Sequence, residues 1–280
     1  MNKRDSLGDR MKENYENRSK TFLTRRVPVI IRLDGKAFHT FTKGLERPYD
    51  KIFHNTMNKT TQYLCENIQG CKLGYTQSDE ITLLLIDYDT ITTDAWFGYN
   101  VQKMCSIAAS MATVAFNRFF AYEYEELNRW VSECPHTRED EEYMYNVYDK
   151  MIQGAMFDAR CFNIPKDEVT NCFIWRQQDA TRNAIQMLGQ CNFSHKELHG
   201  KSCNQIQDML MVKKGINFND MPTAFKRGIC CRRVTQEGIT IDRNSGEQIP
   251  CVRSYWELDS EIPIFTQDRN YIEQYVYCNE

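Results

Sequence analysis

Apolar positions along the chain recur at two different periods, and the switches between them mark out its elements. Val29-Ile30-Ile31-Arg32-Leu33 is a short β-branched run stopped by Asp34-Gly35, which reads as a strand buried on at least one face. Residues 71–76 and 81–86 are two further runs of this kind, so 77–80 reads as the tip of an antiparallel hairpin. Between the first strand and the hairpin the period lengthens. Pro48 suits an opening turn, and Ile52, Phe53, Met57, Thr60 and Leu64 make one stripe, predicting a helix over 48–67. A second helix is predicted over 101–120, where Val101, Met104, Ile107, Ala108, Met111, Ala112, Ala115 and Phe119 share a face rich in alanine, suited to close packing on a sheet. Residues 157–164 return to a strand pattern, ended by Pro165.

Ahead of these elements, Leu7, Met11 and Tyr15 predict a short amphipathic helix over 6–15. Strand, helix, hairpin, helix, strand is a ferredoxin-like order, an α+β antiparallel sheet with helices, and it accounts for residues 1–165. An acidic insertion of helix or loop, about 122–152, interrupts it. Residues 166–280 read as a mostly helical region packed on the first. A long helix is expected over 167–189, a capping box at Ser194-x-x-Glu197, strands over 229–234 and 249–256, and a final helix capped by Thr266 and carrying Ile272, Tyr275 and Val276. The pattern contains no linker, repeat or low-complexity tract.

Asp34 is a carboxylate at a strand's end. Gly35 after it lets the backbone turn sharply or approach a ligand, and the amides of Lys36, Ala37 and Phe38 can face an anion. Asp79 is a second carboxylate, at the hairpin turn. Alone, the first motif reads as an Asp-Gly turn and the second as a solvated acidic turn; together they mean more. If the hairpin pairs beside the first strand, both carboxylates can hold divalent cations between them. Mg²⁺ takes oxygen ligands, usually one or two carboxylates plus substrate phosphates, and a pair of such ions can hold the attacking and leaving oxygens of a phosphoryl displacement. Without a metal, like charges this close repel.

The stretches Ile31-Arg32-Leu33-Asp34-Gly35-Lys36-Ala37-Phe38-His39 and Tyr75-Thr76-Gln77-Ser78-Asp79-Glu80, in this order and at this separation, resemble the two metal-site motifs of the tRNA-histidine guanylyltransferase family. Members resemble the palm domain of ordinary polymerases but add nucleotides in the reverse direction, to the 5′ end of a tRNA. The resemblance implies a polymerase-palm-like fold, a Mg²⁺-dependent nucleotidyltransferase, ATP, GTP or other nucleoside triphosphates as substrates, tRNA as partner, and a homotetramer. It implies that Asp34 and Asp79 hold two Mg²⁺ ions with the Gly35 carbonyl, that Glu80 is a supporting acid, and that Gly35, Lys36, Ala37, Phe38, His39 and Ser78 surround the triphosphate. Lys103 and Arg160 match basic positions that would neutralise phosphate at the RNA 5′ end. Trp175-Arg176-Gln177-Gln178-Asp179 resembles the helix that approaches the incoming RNA. In members that add guanosine to histidine tRNA this helix continues His-Ile-Asn-Asn; here Thr181-Arg182-Asn183-Ala184 stands there, and only Asn183 matches. The departure points to the guanylyltransferase-like branch, which repairs truncated tRNA 5′ ends by templated addition after ATP-dependent activation. The alternatives are non-templated guanosine addition to histidine tRNA, a palm-type nucleotidyl cyclase, disfavoured by the long second half, and a non-catalytic RNA-binding protein, disfavoured by the presence of both aspartates.

Composition narrows the picture further. The 280 residues are 41% hydrophobic, enough for a substantial core. With mean hydropathy −0.61 and no apolar run approaching the roughly 20 residues of a membrane span, and with no apolar signal-peptide core in Met1-Asn2-Lys3-Arg4-Asp5-Ser6, a cytoplasmic protein is expected. Twelve cysteines without a C-x-x-C pair read as reduced thiols filling small apolar sites. Net charge is −3, yet residues 123–142 carry −6 and the remainder +3. Basic clusters at Arg25-Arg26, Lys213-Lys214, Lys226-Arg227 and Arg232-Arg233 therefore read as phosphate contacts if the fold gathers them, and as solvated faces otherwise. Gly200-Lys201-Ser202 imitates a P-loop, but position 195 is His where the first glycine is required. Cys191, His195, His199 and Cys203 recur every four residues, a spacing that matches none of the usual zinc patterns, and the sequon at Asn192 carries no meaning in a cytosolic protein.

Overall fold

Strands β1 (Val29–Gly35), β2 (Cys71–Gln77), β3 (Glu80–Leu85), β4 (Phe157–Asn163), β5 (Ile229–Ile241) and β6 (Gln248–Asp259) pair antiparallel in one sheet of order β4-β1-β3-β2-β5-β6. The computed structural model describes residues 6–133, 135–241 and 246–277. Around the sheet lie α1 (Ser6–Met11), α2 (Phe38–Phe41), α3 (Lys51–Asn67), α4 (Val101–Glu133), α5 (Arg138–Gln153), α6 (Lys166–Asn192), α7 (His195–Leu198), α8 (Cys203–Lys214), α9 (Thr223–Arg227) and α10 (Asn270–Glu273). The chain path β1-α3-β2-β3-α4-β4 with sheet order 4-1-3-2 is the ferredoxin-like arrangement predicted from the periodicity. The second half adds β5 beside β2, so both halves share the sheet.

β1 is apolar at nearly every position because both of its faces are covered. Val29, Ile31 and Leu33, with Ile81, Leu83 and Leu85 of β3, pack against Met57 and Leu64 of α3 and Met104, Ala108, Ala112 and Phe116 of α4. Ile30, with Leu84, Leu73 and Tyr75, packs instead against Val169 and Phe173 of α6 and against Phe265, Ile272 and Val276 near the C-terminal end of the described chain. A third cluster joins the far half of α6 to α8 through Ala184, Ile185, Leu188, Ile206 and Leu210.

Several boundaries differ from expectation. α3 begins at Lys51, not Pro48: the Asp50 carboxylate caps it, accepting from the Phe53 amide at 2.8 Å. α4 runs on to Glu133, so the acidic insertion is its far end plus α5, which opens on a Thr137/Asp140 capping box. α4 also reaches mean hydropathy 1.2 over its most apolar stretch, a length and composition that match a membrane span where none was read. Its buried row of Met104, Ala108, Ala112, Ala115, Phe116 and Phe120 lies in the protein core. The predicted helix over 6–15 is α1 followed by tighter and wider turns, and Leu7, Met11 and Tyr15 are exposed. β5 extends well past its predicted run, because beyond the sheet it pairs only with β6 and no buried face imposes an apolar pattern, while β6 gains a few residues, mostly at the end that pairs within the sheet. Thr266 caps nothing; the last helix starts at Asn270, though Ile272 and Val276 are buried as expected. All cysteines among the described residues are free thiols. The segment Met1 to Asp5, Cys134 and Cys278 lie outside the described residues.

Asp50 ties three elements together. Besides capping α3, it accepts from the Glu46 amide at 2.9 Å and from the Tyr143 hydroxyl of α5 at 2.8 Å. It is 4% exposed, so removing it strands three donors in the interior. Asp50→Ala is expected to lower the unfolding free energy by about 2–4 kcal/mol, and Tyr143→Phe by about 1 kcal/mol, measured from urea denaturation midpoints at unchanged slope.

Candidate active site

The sheet register brings carboxylates together at one end of β1. Asp34 lies opposite Glu80 of β3 on one side and Asp158 of β4 on the other. Just beyond, the Gly35 amide donates to the Asp79 carbonyl at 3.1 Å, which fastens the hairpin tip to the end of β1. Asp34 and Asp79 thereby open into one cleft of about 550 Å³, lined also by Gly35, Ala37, Phe38, His39 and Ser78.

Neither aspartate is fully compensated. Burial, and then the charge of Asp34, push the Asp79 carboxyl up to about 6, against the pull of its own amide and of the Ser78 hydroxyl donating at 3.1 Å. Burial also raises Asp34, reinforced by Glu80 and Asp158 and opposed by Arg160 and Arg32. Glu80 is in a different position, because both of its oxygens are occupied. Oε1 accepts from Arg32 at 3.0 Å, and Oε2 from Arg176 at 2.7 Å and Gln77 at 3.0 Å. It ties β1, β3 and α6 together beside the aspartates.

The loop after Asp34 works differently from the reading of its sequence. The positive φ belongs to Ala37 (57°), not to Gly35. Glycine is needed at 35 because a Cβ there would stand 2.3 Å from the Phe38 ring. That ring is held by Phe41, Phe53, Phe116 and Phe157, with centroids 5.1–5.9 Å away. The Lys36 amide, expected to face an anion, donates to the Met156 carbonyl at 2.8 Å, and Lys36 is exposed. The amides without an internal acceptor lie further on, at Phe38 and His39, since those of Thr40 and Phe41 donate to the Ala37 carbonyl. The turn at Ala37 starts α2 at Phe38, whose first amides have no intrahelical acceptor.

Arg160 lies opposite Arg32, two residues from Asp158 on the same face, and pairs with Asp158 at 2.8 Å. Asn183 lines a second cavity that shares Ser78, Thr42 and Arg47 with the cleft. Lys103 stands apart. α4 runs antiparallel to β4, so Thr113 meets the Phe157 amide near Gly35 while Lys103 lies ten residues back, about 15 Å along the helix. The basic clusters are largely spent internally: Arg25 binds Asp87, Arg26 two carbonyls, Lys226 the Asn219 carbonyl, Arg232 Glu257 and Asp259, and Arg233 Ser254. Gly200-Lys201-Ser202 is the loop capping α8, and no three metal-donor side chains converge among the described residues, the Cys191 to Cys203 set included. Asp158, Arg32 and Arg176 were missed in the sequence. The signal available was a charge inside an apolar strand or a long helix, a position that demands a partner.

A family model for tRNA(His) guanylyltransferase matches residues 8–165, more than half of the chain. The chain belongs to the tRNA(His) guanylyltransferase family. A bacterial tRNA(His) guanylyltransferase-like protein solved in complex with ATP is 41% identical, with a TM-score of 0.77, and the likeness covers 98% of this chain and 100% of that one. A bacterial guanylyltransferase-like protein solved in complex with GTP is 40% identical with a TM-score of 0.71 over the same shares. The tRNA(His) guanylyltransferase of Saccharomyces cerevisiae is 26% identical over 235 residues, 79% of this chain and 87% of that protein. The palm-like fold and the nucleotidyltransferase class expected from the two motifs are those of this family, its guanylyltransferase-like branch included.

Two partly buried carboxylates and a nearby backbone carbonyl are the donors a hard divalent cation takes when substrate phosphates complete its shell. Their raised values set the pH dependence of such binding. Asp79 titrates above its ordinary 3.8, so the cost of ionising it in the fold is absent below about pH 4 and grows as pH rises through about 6. A cation relieves that cost only where Asp79 is ionised. Mg²⁺ is therefore expected to raise the unfolding temperature near about pH 7.5, with apparent affinity falling about tenfold for each unit below about 6. A thermal-shift titration across this range checks it, and an undiminished effect near about pH 5 would contradict it.

Proposed function

We propose that this chain extends the 5′ end of tRNA in the reverse direction, copying the opposite strand, in a Mg²⁺-dependent reaction that begins with activation by ATP. The observation that carries the reading is the meeting of Asp34 and Asp79 in one cleft beside a loop with free amides, in a chain 41% identical to a protein solved with ATP. Asp34, Asp79 and the Gly35 carbonyl would hold the metal. Bound there, Mg²⁺ would neutralise phosphate charge and lower the barrier to displacement at phosphorus.

The residues of the chain act mainly by positioning, since phosphoryl transfer depends on placement and charge compensation. The amides after Ala37, with His39 and Ser78, orient a triphosphate against the aspartates. Arg160, two-residue neighbour of Asp158 on the open edge strand, receives the 5′-phosphate of the RNA. Two displacements share this geometry. In the first, the RNA 5′-monophosphate attacks the α-phosphate of ATP, forming an adenylylated end and releasing pyrophosphate. In the second, the 3′-hydroxyl of an incoming triphosphate attacks the activated 5′-phosphate and AMP leaves. Asn183 faces the adjoining cavity, and the residues around it, Thr181-Arg182 and Ala184, depart from His-Ile-Asn-Asn. Without that recognition element, base pairing decides which nucleotide is added.

Asp34→Ala and Asp79→Ala are each expected to lower adenylylation and nucleotide addition by at least about 100-fold while leaving a folded protein. Assaying the steps separately checks whether they share one metal site, which near-normal activity in both would disprove. Template use is tested with a tRNA lacking its first 5′ nucleotide, made in four versions that differ only in the opposing base, and supplied with all four triphosphates. Complementary addition to each version is expected. Guanosine addition to every version, or a strict demand for a histidine anticodon, restores the reading as a histidine-tRNA guanylyltransferase.

A further inference from the structure

Trp175 is an aromatic side chain in an unusual setting. It lies on α6, two residues from the fully buried Phe173 and next to Arg176, which is 4% exposed, yet the indole itself is 51% exposed. It rests on charge. The Arg176 guanidinium lies 3.7 Å from the ring centroid and that of Arg32 5.1 Å. Both guanidiniums are fixed by Glu80, and Arg176 also meets Asp179 at 3.5 Å, so the ring sits on a clamped bed. The rest of its surface opens to solvent. Leaving an indole half exposed forgoes the stabilisation its burial would give, which a binding role explains.

Position names the ligand. Arg32 is two residues before Asp34 on the same face of β1, about 7 Å along the strand. Arg160 lies directly across from Arg32, and Arg182, paired with Asp179, follows Trp175 by two turns of α6. Both arginines are more than half exposed. Trp175 lines neither the aspartate cleft nor the cavity of Asn183, so it stands outside the triphosphate site, and Arg32 beneath its ring is the cross-strand neighbour of Arg160.

Resting on the reading of the reaction given above, we infer that Trp175 is a stacking platform for the outermost base pair of the RNA end. A templated enzyme must hold that pair whatever its identity. Edge recognition would defeat this, whereas stacking is sequence-tolerant because every base has a π face, and cations behind the indole polarise it further.

The test uses a 5′-monophosphorylated tRNA lacking its first nucleotide, with 2-aminopurine as its 5′-terminal base. Wild-type protein quenches the fluorophore on binding. Trp175→Ala is expected to lose the quenching and to raise KM for tRNA about 5- to 150-fold, the range for one stacked base, with kcat within about twofold. Trp175→Phe should recover most of both. Wild-type quenching and KM in Trp175→Ala overturn the platform, as does a Phe variant no better than Ala. A rise in KM for the triphosphate instead assigns the ring to the nucleotide, and loss of ATP binding assigns it to the integrity of α6; either result overturns it too. Trp175-dependent quenching in a wild-type protein that extends no tRNA retains the platform and refutes the reaction, while wild-type protein that binds no tRNA refutes both.

Discussion

Unrelieved negative charge at one end of the sheet is the constraint around which this molecule is arranged. Three adjacent strands deliver Asp158, Asp34 and Glu80 in register, and the Gly35 amide draws Asp79 in beside them. Burial first, and the charge of neighbouring carboxylates second, raise both Asp34 and Asp79, so keeping this end of the sheet ionised calls for counter-charge. The protein supplies part of it. Arg32 and Arg176 neutralise Glu80 and Arg160 pairs with Asp158 at the edge, while Asp34 and Asp79 have no such ion pair among the described residues. Because Arg176 belongs to α6, that helix is fixed to the hairpin by the same ion pairs. Losing either partner would strand a nearly buried charge, at a cost of about 3–5 kcal/mol.

Apolar packing does for the loop what charge does for the strands. Phe38 plugs a cage of aromatic rings contributed by α2, α3, α4 and β4, and the cleft-facing backbone is stretched between that plug and the end of β1. The loop gains rigidity this way in addition to the hydrogen bonds of the Gly35 and Lys36 amides, while the Phe38 and His39 amides need no internal acceptor to hold its shape. Ala37 bears the conformational strain, and the packing of its neighbour Phe38 holds it in place.

Elements with a buried face were legible in the sequence. β1, the hairpin, α3, α4, β4 and α6 all announced themselves through period, since both faces of the sheet are covered and each helix has one apolar stripe. Asp34 and Asp79 were legible because polar residues at the ends of apolar runs are conspicuous. What escaped notice depends on partners distant in sequence. Asp158 gains meaning only from its register with Asp34, and the Lys36 amide is lost to Met156, more than a hundred positions away. Lys103 matched a motif but the antiparallel course of α4 carries it from the cleft, a fact of topology rather than of local pattern. The far half of β5 was hidden because a strand exposed on both sides has no alternation to read.

The contact between Gly35 and Phe38 has an evolutionary corollary. Since glycine is demanded at 35 by the nearby ring and not by a left-handed backbone, the two positions form a single volume constraint. A lineage could accept a side chain at 35 only after the residue at 38 had shrunk, and shrinking it first would loosen the aromatic cage. Each single step taken alone meets a cost, steric in one order and a loss of packing in the other. The two positions are thus coupled, and the order in which substitutions arrive sets the cost that each one meets.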